Sequence, residues 1–214
     1  MTGTKLLERY KAGERDFSRA DLHGADLRWA DLRWADLRWA DLCRADLHDA
    51  DLHGATLHGA TLHDADLHGA DLYGANLYGA DLRDADLRGA TLRDADLRDA
   101  DLDGANLRRA DLRDADLRGA TLHDADLHGA DLRRADLHGA DLRDADLRDA
   151  DLDYASFPLW CGTFSLLCDT RLVSQLLYHL CRLDVRDCPE WDKLRHDPRL
   201  VALANQSHVI TKHD

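Results

Sequence analysis

Alanine recurs at every fifth residue from Ala20 to Ala155 and leucine at every fifth from Leu22 to Leu152, with short polar residues between them. The unit is A-(D/N/T)-L-x-x, repeated 27 times over 135 residues, Ala20 to Tyr154, without insertion or deletion. In an α-helix five residues advance about 500°, so successive leucines are offset by about 140° and form no apolar stripe. In a flat strand an odd period throws successive leucines onto opposite faces. Within one unit, however, Ala and Leu lie two apart and share one side of a short extended segment, while the polar residue between them faces away. The last two residues must then turn the chain. Four sides of five residues predict a square coil of 20, with Ala and Leu inside and coils stacked about 4.8 Å apart.

The other columns agree with this geometry. Position two holds 21 Asp, 2 Asn (Asn76, Asn106) and 4 Thr (Thr56, Thr61, Thr91, Thr121), all able to hydrogen-bond nearby backbone at a bend. Position five is Gly in 11 of the 27 units, which suits corners of unusual dihedral angle. Both ends of such a coil need covers. Residues 4 to 12, followed by Gly13, predict a short helix with Leu6, Leu7 and Tyr10 on one side. After Pro158 the repeat stops, and Leu172, Val173, Leu176, Leu177, Leu180 and Leu183 form a helical stripe behind Asp169 as N-cap. The expected organisation is an N-terminal helical cap over 1–14, a repeat solenoid over 15–157, and an α-helical cap or dimerisation segment over 158–214.

Tandem A-D-L-x-x resembles the pentapeptide-repeat family, over roughly two thirds of the chain. The resemblance implies an all-β solenoid, the right-handed quadrilateral β-helix, here of about seven coils at 20 residues each. Helical C-terminal caps, and dimers made through them, occur in the family, so the stripe from Leu172 to Leu183 is expected to cap the last coil or to form a homodimer contact.

Charge narrows the function. The chain carries 42 Asp plus Glu against 28 Lys plus Arg, a net charge of -14, which disfavours direct nucleic-acid binding. Residues 20–154 alone sum to -16. Over a rod about 32 Å long this is roughly one net charge per 2 Å, close to the ~1.7 Å of duplex DNA. Some pentapeptide-repeat proteins imitate DNA and protect type II topoisomerases from quinolone-type inhibitors. The resemblance therefore implies DNA gyrase or topoisomerase IV as partner, with the carboxylates of Asp81, Asp86, Asp96, Asp141, Asp146 and Asp151 standing in for phosphates. Sixteen arginines within the repeats work against a uniform field, and the loop that interrupts the coils of several topoisomerase-protecting members is missing. The alternative is a structural or assembly scaffold.

Two further patterns bear on recognition. Trp29, Trp34 and Trp39 occupy the same slot on three consecutive sides, an aromatic belt that reads either as a partner site or as rings lying over the stems of Arg28, Arg33 and Arg38. Nine His stand at position four, and His23, Cys43 and His63 share a column, a weak metal-ligand set that solvated imidazoles explain as well. No metal, cofactor or catalytic group is predicted, because a regular convex rod offers neither a concave site nor a Gly-rich phosphate loop or CxxC pair. There is no apolar run of membrane-spanning length and no secretory h-region, and the five Cys read as reduced thiols, so a cytoplasmic protein is expected.

Overall fold

The computed structural model describes residues 1–156. The segment carrying Leu172, Val173, Leu176, Leu177, Leu180 and Leu183, with the cap and dimer expected of it, lies outside the described residues. From Asp16↔Asp36 to Asp136↔Ser156, parallel bridges join each position-two residue to the one 20 residues on. The solenoid expected from the period of five is therefore formed, with four short sides to each coil.

A donor-by-donor account of one unit shows why the pattern specifies this coil. Leu22 N donates to Asp41 O of the next coil at 2.7 Å, Gly24 N to Cys43 O at 2.9 Å, and Asp41 N back to Ala20 O at 2.9 Å. Ala25 N closes the corner by donating to Leu22 O at 2.9 Å. The remaining N–H, at position four, has no partner in the ladder, and the position-two side chain supplies one. Cys43 N donates to Asp41 Oδ1 at 3.0 Å and Tyr78 N to Asn76 Oδ1 at 3.0 Å. In an inner unit with Asp or Asn at position two, all five backbone donors are thus satisfied, as a narrow coil requires. That side chain is as structural as the leucine beside it.

Inside, the leucines from Leu22 to Leu152 are at most 3% exposed and the alanines from Ala25 to Ala150 at most 7%. Each buried Leu contributes about 1.5–3 kcal/mol. Phe17 fills the leucine slot of the preceding, degenerate unit and is buried. Helix α1 (Gly3–Lys11) lies over that end. Thr2 caps it by accepting from Lys5 N at 3.3 Å, and its buried residues are Gly3 and Leu6, whereas Leu7 and Tyr10 are only partly covered. A side chain at Gly3 would collide with the carbonyl of Asp26, so the helix approaches the first coil through its bare backbone. Tyr10 Oη donates to Arg33 O at 2.9 Å and the N-terminal amine to Asp21 O, which ties the helix to the rim.

Every fifth position from Arg19 to Tyr154 is left-handed, with φ between 53° and 72°, whether or not it is glycine. Glycine, which suits such corners, holds 11 of them. Asp, which tolerates it, fills nine of the other corners, while Arg and Trp do not share that tolerance. Trp29 sits at φ 60° and is 71% exposed, so it carries a steric cost of about 1–2 kcal/mol. Trp29→Gly is accordingly expected to stabilise the fold by about 0.5–1 kcal/mol after the glycine entropy penalty. Chemical denaturation of the two proteins measures this, and a destabilised variant would contradict it.

Candidate partner surfaces

The four sides of the coil, named by their first alanine, carry different chemistry. On all of them a position-four Arg turns back on the position-two Asp of its own unit. Arg83 Nε donates to Asp81 Oδ1 at 2.8 Å and its Nη2 to Asp81 Oδ2 at 2.6 Å. Arg88 grips Asp86, Arg98 grips Asp96, Arg143 grips Asp141 and Arg148 grips Asp146 in the same two-pronged way. Asp151 lies 4.0 Å from Arg133. Hydrogen bonds from the guanidinium hold the carboxyls of Asp81, Asp96, Asp141 and Asp146 below the usual carboxylate range. At Asp86 burial pushes the other way, and the bonds from Arg88 prevail. The carboxylates expected to imitate phosphates are thus already committed, to a backbone N–H and to an arginine.

The acidic excess therefore lies elsewhere. Over residues 20–154 the Ala20 side sums to -7, against -3, -4 and -2 for the Ala25, Ala30 and Ala35 sides. Its fifth-position corner is a column of carboxylates: Asp64, Asp84, Asp124 and Asp144, with Asp103 at position four filling the coil where Gly104 takes the corner. Asp84, Asp124 and Asp144 keep 62%, 60% and 54% of their side-chain surface, whereas Asp81, Asp86 and Asp96 keep 27%, 28% and 25%. One carboxylate per ~4.8 Å rung approaches the 3.4 Å charge spacing of a single DNA strand. Reading the sequence in steps of 20 exposes this column; reading it as a repeat hides it, because position five varies.

The other three sides carry the tryptophans, at corners 71%, 65% and 55% exposed for Trp29, Trp34 and Trp39. They do not lie over arginine stems. Arg28, Arg33 and Arg38 are turned onto Asp26, Asp31 and Asp36. Instead each indole meets the imidazole one coil on, edge to face, with centroids 5.5 Å apart for His48, 5.1 Å for His53 and 4.9 Å for His58. The ladders continue, His48 to His68, and His53 and His58 stacked on Tyr73 and Tyr78 at 5.0 and 5.1 Å. Gly54 and Gly59 leave room for two of the indoles, since a methyl at either would stand 2.2 Å from the ring of Trp34 or Trp39. The result is three aromatic ladders around one end of the coil.

The column of His23, Cys43 and His63 does not converge as one set. His23 and Cys43 come together with Asp41, while His63 belongs with Asp64 and Asp84, and a third group of the same kind is Asp103, His123 and Asp124. In each group the ligand atoms lie within 4.8 Å of one another. All three groups are on the Ala20 side. No helix among the described residues is long and apolar enough to cross a membrane.

The pentapeptide-repeat family pattern matches residues 16–38, 30–69, 65–104, 95–134 and 130–158. The chain belongs to the pentapeptide-repeat family, and its fold is the solenoid β-helix of that family. Among solved structures it is similar to QnrB1, a plasmid-mediated fluoroquinolone resistance protein, with 19% identity over 78% of this chain and 87% of that one at a TM-score of 0.54, a likeness of fold. It is also similar to HetL of the cyanobacterium Nostoc sp. strain PCC 7120, a pentapeptide-repeat protein involved in regulating heterocyst differentiation. That match has 33% identity over 80% of this chain and 95% of the other, at a TM-score of 0.36. No curated protein matches the chain.

Proposed function

We propose that this chain is a non-enzymatic, cytoplasmic binding protein whose acidic Ala20 side occupies the duplex-DNA groove of a basic protein partner, a type II topoisomerase such as DNA gyrase or topoisomerase IV. In this reading the coil is right-handed, about seven turns long and capped at its C-terminal end by helices that also admit a homodimer. The carrying observation is the column of exposed carboxylates from Asp64 to Asp144, regular in rise and concentrated on one side. A partner that reads phosphates by charge reads such a column the same way, and screening by salt weakens both.

The test is gyrase supercoiling of relaxed plasmid, titrated with the protein at low and moderate salt. Inhibition or drug protection is expected at micromolar concentration, lost with added salt, and weakened at least tenfold by replacing Asp64, Asp84, Asp124 and Asp144 with Asn. Equal potency of that variant would overturn the reading. One observation favours a second reading, a scaffold: Trp29, Trp34 and Trp39 are three large exposed aromatic side chains clustered at one end of the coil, as at partner sites. Partner capture through these rings would resist salt and be abolished when all three are replaced by Gly.

A further inference from the structure

His123 is surrounded by more carboxylates than an imidazole can serve. Its Nδ1 lies 3.0 Å from Asp103 Oδ1 and 3.3 Å from Asp124 Oδ2, and its Nε2 lies 3.7 Å from Asp144 Oδ2. A ring nitrogen carries at most one proton, so two carboxylate oxygens at Nδ1 compete for a single hydrogen. Even a doubly protonated ring sets one positive charge against the two carboxylates at Nδ1.

A divalent cation resolves each of these conflicts. Zinc holds nitrogen and carboxylate ligands at about 2.0–2.2 Å in a tetrahedron, which places ligand atoms roughly 3.3–3.6 Å apart. The two contacts at Nδ1 are already near that spacing. With Nδ1 on the metal, Nε2 keeps its proton and faces solvent and the carboxylate of Asp144, 3.7 Å away. A second group on the same side, His63 with Asp64 and Asp84, turns its ring the other way, with Nε2 3.5 Å from Asp64 and Nδ1 3.9 Å from Asp84. That earlier set is the poorer one, because Arg44 approaches Asp64 at 3.3 Å and His63 Nδ1 is within 3.0 Å of the Arg83 carbonyl.

We propose that Asp103, His123 and Asp124 form a zinc site on the acidic side. Imidazole among the ligands selects zinc over magnesium, which prefers oxygen alone.

Calorimetric titration of the EDTA-treated full chain with zinc chloride tests the site, with His123→Gln and Asp124→Asn compared against the unchanged protein. Because other His and Cys of the chain can bind zinc, the reading is the difference: one equivalent fewer in each variant, and an excess of magnesium that leaves that equivalent in place. The melting profile of each metal-free variant reports whether it is folded. Zinc stoichiometry unchanged by His123→Gln in a folded protein, or full displacement of that equivalent by magnesium, would overturn the proposal. Topoisomerase binding enters no arm of this experiment, so it stands or falls independently of the functional reading above.

Discussion

Leu87→Ala is expected to cost about 2–5 kcal/mol, at the upper end of what a single truncation removes. Leu87 is fully buried in the middle of the ladder. The walls around it cannot move in to fill the space, because Leu87 N is bonded to Asn106 O at 2.8 Å and Asp86 N to Ala65 O at 2.9 Å, and the coils on either side are held likewise. A cavity that cannot collapse retains its full penalty. Leu87→Asp goes further and opens the central coils, and since each coil contacts only its neighbours, the break divides the rod into two short ladders. Denaturant unfolding followed by circular dichroism gives the first number, and limited proteolysis locates the second break. A cost below about 1 kcal/mol for Leu87→Ala would mean that the coil relaxes and that the leucine column is not the main source of stability.

Acid is the second large perturbation, because it acts on every coil at once. The side-chain and backbone hydrogen bonds from Arg28 hold Asp26 down at about 2. Burial pushes Asp136 up, but bonds from Ser156 and His138 bring it down to about 2 as well. Asp31, Asp36, Asp111 and Asp146 are shifted the same way, chiefly by their arginines. A folded-state pKa below the unfolded value of about 3.9 contributes stability that is complete above pH 4 and is lost as pH falls through the folded value. The expected result is a rod whose unfolding midpoint is flat from neutral pH to about 4 and drops steeply between about 4 and 2. Each exposed pair contributes little alone, and salt screens it. The collective drop comes from repetition, and a midpoint unchanged at pH 2 would show that the Asp–Arg pairs contribute no net stability.

Both expectations rest on features visible in the primary structure to different degrees. The inward columns are unmistakable there, since Ala and Leu never change and a period of five admits few regular folds. The aspartate's hydrogen bond to the position-four N–H and its pairing with repeat arginines were both foreseen in kind, though not that Arg83, Arg88 and Arg143 would each take the carboxylate of their own unit. That capture leaves Asp81, Asp86 and Asp141 about a third exposed or less, and it moves the candidate surface to the more exposed corner bearing Asp64, Asp84, Asp124 and Asp144. The tryptophans were read as outward and clustered, as they are, but their neighbours are His48, His53 and His58 rather than the adjacent arginines.

The physical reason for the division is distance along the chain. Contacts within a unit depend on residues two or three apart, so periodicity and side-chain chemistry alone determine the coil, its Ala and Leu interior and its polar bends. Contacts between coils join residues about 20 apart, and there the outcome depends on rotamers and on competition among several partners. Whether an aspartate meets its own arginine, a histidine or the next coil is settled only when neighbouring rungs stack. The left-handed backbone at Trp29, Trp34 and Trp39 is likewise imposed by the closure of the coil, against the preference of the residue itself. The sequence by itself determined a square solenoid with an acidic surface; the tertiary structure decided which of its acids, and which of its rings, face outward together.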